Sequence, residues 1–155
     1  ASGLAQLALF NSQVKQPQRL HDPDGNAIEL NPHHDSAPNL RLTLQVNNYA
    51  DSESFYANTL GLKRNAQDAF LVGASEIVLQ HGSVGDVPQK AIGFRYMTFQ
   101  VADVVEEHRA ILASGGFEGM APVWLGDVAF ISFVRDPDGN WIEISQRKSI
   151  TGSLD

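Results

Sequence analysis

Two glutamates stand in identical settings. Asp22-Pro23-Asp24-Gly25-Asn26 leads into Ile28-Glu29-Leu30, and Asp136-Pro137-Asp138-Gly139-Asn140 leads into Ile142-Glu143-Ile144. In an alternating strand, a glutamate between two aliphatic residues points to the opposite face from them. Each therefore offers a carboxylate, suited to a metal ligand or a general base, to whatever lies across that face. The turn itself is ordinary chemistry: the first Asp bonds forward, Pro presets φ, and Gly accepts the positive φ that closes the turn. The chain has no cysteine, so thiolate sites, disulfides and cysteine nucleophiles are excluded. A metal would have to rely on His, Asp or Glu.

The elements that must carry these glutamates emerge from self-comparison. Arg41-Leu-Thr-Leu-Gln-Val46 and Tyr96-Met-Thr-Phe-Gln-Val101 share one alternating pattern displaced by 55 positions. Each reads as a strand and each precedes a helix. Asp51 and Ser52 open a segment carrying Phe55, Tyr56 and Leu60 and stopping at Gly61. Asp103 caps a second, with Glu106 three residues on and a stop at Gly115-Gly116. Strand patterns follow at 69–72 and 76–81 in the first unit, preceded by a weaker one near Leu62 to Arg64. In the second unit they fall at 120–124, 128–134 and 141–146. Each unit reads β-α-β-β-β.

The first 31 residues match only the end of such a unit. A shift of 114 superposes their turn on the later one and places Leu20 on Val134, Val14 on Val128 and Leu9 on Val123. The expected division is a partial βββ module over 1–31, a linker over 32–38 and a complete domain over 39–147. That domain divides into modules at 39–85 and 92–147, and a tail follows at 148–155. Pro32 and Pro38 bound the linker, which holds His33, His34 and Ser36.

The placement of Asp-Pro-Asp-Gly-Asn before an Ile-Glu strand, after a β-α-β-β-β pattern, resembles the vicinal-oxygen-chelate superfamily of glyoxalase I, bleomycin-resistance proteins and extradiol dioxygenases. The resemblance covers about 39–147 well and 7–31 in part. It implies an α+β fold in which paired βαβββ modules form a curved mixed sheet around a cavity, here with an extra partial module at the N-terminus. It also implies that metal ligands, usually His or Glu, come from the first and last strand of each module. Those four positions fall on Arg41, Val78 (with Gln80 the nearest polar neighbour), Tyr96 and Glu143. Only Glu143 matches, and one carboxylate does not hold a metal that wants three or more protein donors. No cofactor is therefore expected; a divalent metal, if bound, would find Glu143 as its ligand. Glu143 and Tyr96 are the candidate catalytic groups.

In the family arrangement Arg41 and Glu143 converge where the metal would sit, so the sequence leads us to expect an ion pair in its place. Alternation adds Thr43 and Gln45 beside Arg41, Thr98 and Gln100 beside Tyr96, and Trp141 and Ser145 beside Glu143. Such a polar floor with aromatic walls suits a small polar or partly aromatic ligand. The other reading is a face of the sheet turned to water. Glu29 matches the motif but has no first strand before it to supply a partner. His21, His33, His34, His81 and His108 read as solvated side chains.

A hydrophobic content of 43 % suffices for a core in 155 residues, and a net charge of -7 without a basic cluster argues against nucleic acid as a partner. No segment is long enough to span a membrane as a helix, and a cytoplasmic location is expected. Three functions stay open. The first is a small-molecule-binding protein without an intact metal site. The second is a metal-dependent lyase or dioxygenase, and the third is the inactive half of a longer tandem enzyme. The unpaired strands of the partial module predict a homodimer or strand exchange.

Overall fold

A computed structural model describes residues 3–35, 37–86, 88–90 and 93–154. Ser36 and the range ends at 1, 92 and 155 lie outside these. The chain is α+β, with two mixed sheets. One has six strands: β1 (Leu4–Asn11), β2 (Gln18–His21), β3 (Ala27–Pro32), β4 (Leu40–Val46), β5 (Phe70–Val72) and β6 (Ser75–His81), in the order β2-β3-β1-β4-β6-β5. The other has β7 (Tyr96–Gln100), β8 (Phe117–Leu125), β9 (Ala129–Arg135) and β10 (Trp141–Arg147), ordered β7-β10-β9-β8. Helices α1 (Tyr49–Ser54), α2 (Val104–Ala113) and α3 (Lys148–Thr151) complete it. No helix among the described residues is long and apolar enough to cross a membrane.

The N-terminal segment differs from its alignment in one respect that shapes the site. The alignment treats the strand around Leu9 as a module's second strand. Instead β1 runs parallel to β3, with Ala8 opposite Glu29, and antiparallel to β4, with Ala8 opposite Arg41. In module two the first strand pairs in parallel with the last, β7 with β10. So β1 holds a first-strand place, and it completes the sheet of module one while module two forms a sheet of its own. The weak strand near Leu62 to Arg64 reduces to a single bridge between Arg64 and Phe70.

Alternation determines what each face of β4 meets. Leu42, Leu44 and Val46 are buried in one cluster with Phe55, Tyr56, Phe70, Ile77 and Leu79, which continues into Val104, Ile111, Val134, Ile142 and Ile144 of module two. One core thus serves both modules. Helix α1 starts two residues earlier than Asp51 and Ser52 suggest, because Asn48 caps it through Ala50 N (3.1 Å) and Asp51 N (3.4 Å). It continues as a π-helical turn over Phe55–Thr59 and ends at Gly61, with φ of 64°. Asp103 caps α2 as expected, its side chain accepting from Glu106 N at 3.0 Å.

The two Asp-Pro-Asp-Gly-Asn turns share internal bonding and differ in surroundings. Asp22 accepts from Asn26 N at 2.8 Å, and Asp136 accepts from Asn140 N at 2.8 Å. The first turn is exposed, and its Asn26 hydrogen bonds hold the Asp22 carboxyl below its ordinary range. The second is a latch between modules. Tyr56 donates to Asp136 (2.9 Å), Ser52 donates to Asp138 (3.0 Å), the Asn47 amide donates to Asp138 (3.0 Å), and the Gly3 amide donates to Asn140 (2.8 Å). Burial there raises the Asp136 carboxyl above its ordinary range, and it also raises the Tyr56 phenol.

His108 corrects the reading of a solvated histidine. It lies buried on the same face of α2 as Val104 and Ile111, at the i, i+4, i+7 spacing that marks a helix's inner side. Its Nδ1 lies 3.0 Å from Ser132 Oγ and its Nε2 3.1 Å from Glu118.

Candidate functional site

The face of β4 away from the core carries Arg41, Thr43 and Gln45. Beside it β1 presents Gln6, Ala8 and Phe10, β3 presents Glu29 and Asn31, and β6 presents Glu76, Val78 and Gln80. A cavity of about 500 Å³ opens on this face, lined by Gln6, Phe10, Glu29, Asn31, Arg41 and Thr43 among others. The Arg41–Glu143 ion pair expected from the sequence does not form. The Nε of Arg41 bonds instead to Glu76, its register partner on β6, and the guanidinium carbon lies 5.6 Å from the centre of the Phe10 ring. Glu76 is buried, and Asn65 Nδ2 donates to its second oxygen at 3.1 Å. Only one edge of the guanidinium is thereby engaged. Glu29 has no hydrogen-bond or ion-pair partner among the described residues.

Glu143 lies on the other sheet, in a different environment. It is buried, with Phe133 and Thr98 opposite it on the neighbouring strands, and it too has no polar partner among the described residues. Phe133 meets Tyr96 and Trp141 edge-on, with ring centres 5.3 and 5.9 Å away. Two residues along β10, the buried Ser145 Oγ is also without a partner. Tyr96, Thr98 and Gln100 line a separate, mostly apolar cleft of about 540 Å³ with Leu4, Leu42 and Phe99. The nine residues expected around one cavity are thus divided between two sheets. Arg41 and Thr43 line the polar cavity and Gln45 lies further along their face. Tyr96, Thr98 and Gln100 line the cleft, and Trp141, Glu143 and Ser145 line neither.

The sequence reading missed Glu76 and set Glu29 aside for want of a partner strand, although both carried a signal. Glu29 stands at the motif position of Glu143, and β1 provides the partner strand it had been denied. Glu76 is two residues before Val78 and so shares its face.

The family's metal can be tested against these donors. No group of three or more His, Asp or Glu side chains converges among the described residues. On the six-stranded sheet Glu29 has Ala8 and Arg19 opposite it, and on the other Glu143 has Thr98 and Phe133. Neither set fits a divalent ion, which prefers three or more protein donors.

A model of the glyoxalase/bleomycin resistance protein/dioxygenase superfamily matches residues 40–144. The chain belongs to this superfamily. Among solved structures, a glyoxalase I variant from Zea mays aligns over 99 % of this chain and 72 % of its own, at 19 % identity and a TM-score of 0.69. A glyoxalase-related enzyme from Fulvimarina pelagi covers 69 % of this chain and 86 % of its own, at 17 % identity and a TM-score of 0.57. A virulence protein from Salmonella typhimurium covers 69 % and 94 %, at 27 % identity and a TM-score of 0.53. No curated protein matches the chain. Superfamily membership accounts for the βαβββ pattern in module two.

Proposed function

We propose that this chain is a small-molecule-binding member of the superfamily, that its ligand occupies the polar cavity of the six-stranded sheet, and that binding needs no metal. The observation that carries this reading is the cavity itself: about 500 Å³, within the range of small-molecule sites, with charged and amide groups converging on it. Its lone Glu29 supports the metal-free part.

A thermal-shift screen of small polar compounds, run with and without a chelator, tests this directly. A compound at a hundred times its Kd adds about 2.7 kcal/mol of stability, a shift of several degrees. The expected hit persists with chelator and disappears in Thr43→Trp, which fills the cavity. A hit that requires added metal overturns the metal-free part. A hit that survives Thr43→Trp but is lost in Glu143→Gln supports the second reading, in which the buried, unpartnered Glu143 is a general base near Tyr96.

We also infer self-association through β7, which pairs only with β10 among the described strands and so leaves an edge open. Light scattering is expected to give twice the chain mass. A monomer at all concentrations rejects it.

A further inference from the structure

We propose that the polar cavity takes a small zwitterion, its carboxylate on Arg41 and its ammonium on Glu29, lying over Ala8. This rests on the reading of that cavity as the binding site. The register of the sheet sets out the relevant groups in one row. Arg19 on β2 faces Glu29 on β3, Glu29 faces Ala8 on β1, Ala8 faces Arg41 on β4, and Arg41 faces Glu76 on β6. Charge alternates along this row and is interrupted only at Ala8.

The outer members leave the inner two available. Glu76 is held by Arg41 and Asn65, and it occupies only the Nε edge of the guanidinium. The terminal nitrogens of Arg41 remain as donors, and the Phe10 ring steadies the plane. An Arg so held presents a fork suited to a carboxylate. On the other flank Arg19 is exposed and forms no ion pair with Glu29, so that carboxylate keeps its acceptors for a ligand cation. Glu29 and Arg41 are two strand spacings apart, about 10 Å between Cα atoms. Ala8, buried between them, has the smallest side chain on the cavity side of the row and lines the cavity with both. A molecule carrying both charges a few bonds apart meets both groups at once, whereas a simple anion or cation meets one and is repelled by the other. Gln6, Asn31 and Thr43 offer neutral hydrogen bonds around it.

Calorimetric titration with ω-amino acids from glycine to 6-aminohexanoate scans the spacing between the charges. Binding is expected to peak at one length. For the best member, the methyl ester and the N-acetyl derivative should each bind about tenfold or more weaker. The ester penalty should vanish in the double variant Arg41→Gln, Glu76→Gln, which removes both charges of the pair and leaves neither one buried alone. The acetyl penalty should vanish in Glu29→Gln. Melting curves and circular dichroism verify that each variant folds. If no amino acid binds while a screening hit is still lost in Thr43→Trp, the zwitterion is wrong and the cavity reading stands. If the derivatives bind as well as the parent, the zwitterion is equally overturned. If neither series nor screen yields a cavity ligand, both readings fail.

Discussion

Asp136→Ala is expected to lower the unfolding free energy by about 3–5 kcal/mol, because several donors lose one buried acceptor together. Tyr56 Oη, Asn140 N and Nδ2, and Asp138 N all donate to this carboxylate, between 2.8 and 3.0 Å. The same substitution at the same motif position in the exposed first turn, Asp22→Ala, should cost far less, since water replaces the lost acceptor there. Chemical denaturation of both variants is the measurement, and equal losses would show that the second turn is no latch. Asp136→Asn should fall between them. It keeps an oxygen for the two backbone donors but brings an amide NH2 against the Asn140 NH2. The pH dependence carries a sign of its own. Burial raises the Asp136 carboxyl in the folded state, so the contribution of this group is greatest below the unfolded carboxyl value and is lost as pH rises through the folded value. At neutral pH its charge therefore opposes folding while its hydrogen bonds favour it.

Tyr56→Phe is expected to cost about 1–3 kcal/mol at neutral pH and to change the shape of the alkaline limb. The phenol is wholly buried against Asp136, and burial first, then that carboxylate, raises its ionisation well above 10.0. The unfolded chain ionises this tyrosine near its ordinary value and the folded chain does not. Stability therefore declines as pH climbs past about 10, with a limiting slope of about 1.4 kcal/mol per pH unit for one proton. The phenylalanine variant lacks that proton, so its stability should fall less steeply between pH 9 and 11. Identical alkaline slopes in the two proteins would reject the assignment. A cycle combining Tyr56→Phe with Asp136→Ala should show strong non-additivity, because each removes the other's partner.

Such a latch could not be found in the turn's composition. Both copies spell Asp-Pro-Asp-Gly-Asn, and their internal bonds are the same. Only one copy abuts Ser52 and Tyr56, and that depends on how two sheets pack, which no local pattern encodes. The same holds for Arg41. Its place on a polar strand face follows from the alternation of β4, because side chains of period two must separate to two faces. Its partner does not follow, since any strand could have been its neighbour, and the register chose Glu76 over Glu143.

What the sequence determined by itself was local and periodic: the two turns, the Asp103 cap, the face on which each glutamate stands, and the repeat that marked the superfamily. The tertiary structure alone decided that β1 lies between β3 and β4. That one pairing gives Glu29 a partner strand and puts Ala8 between two opposite charges. It also moves the polar cavity to the six-stranded sheet. Strand pairing is set by contacts between segments far apart in the chain, whose combined burial and hydrogen bonding outweigh any preference legible in one segment.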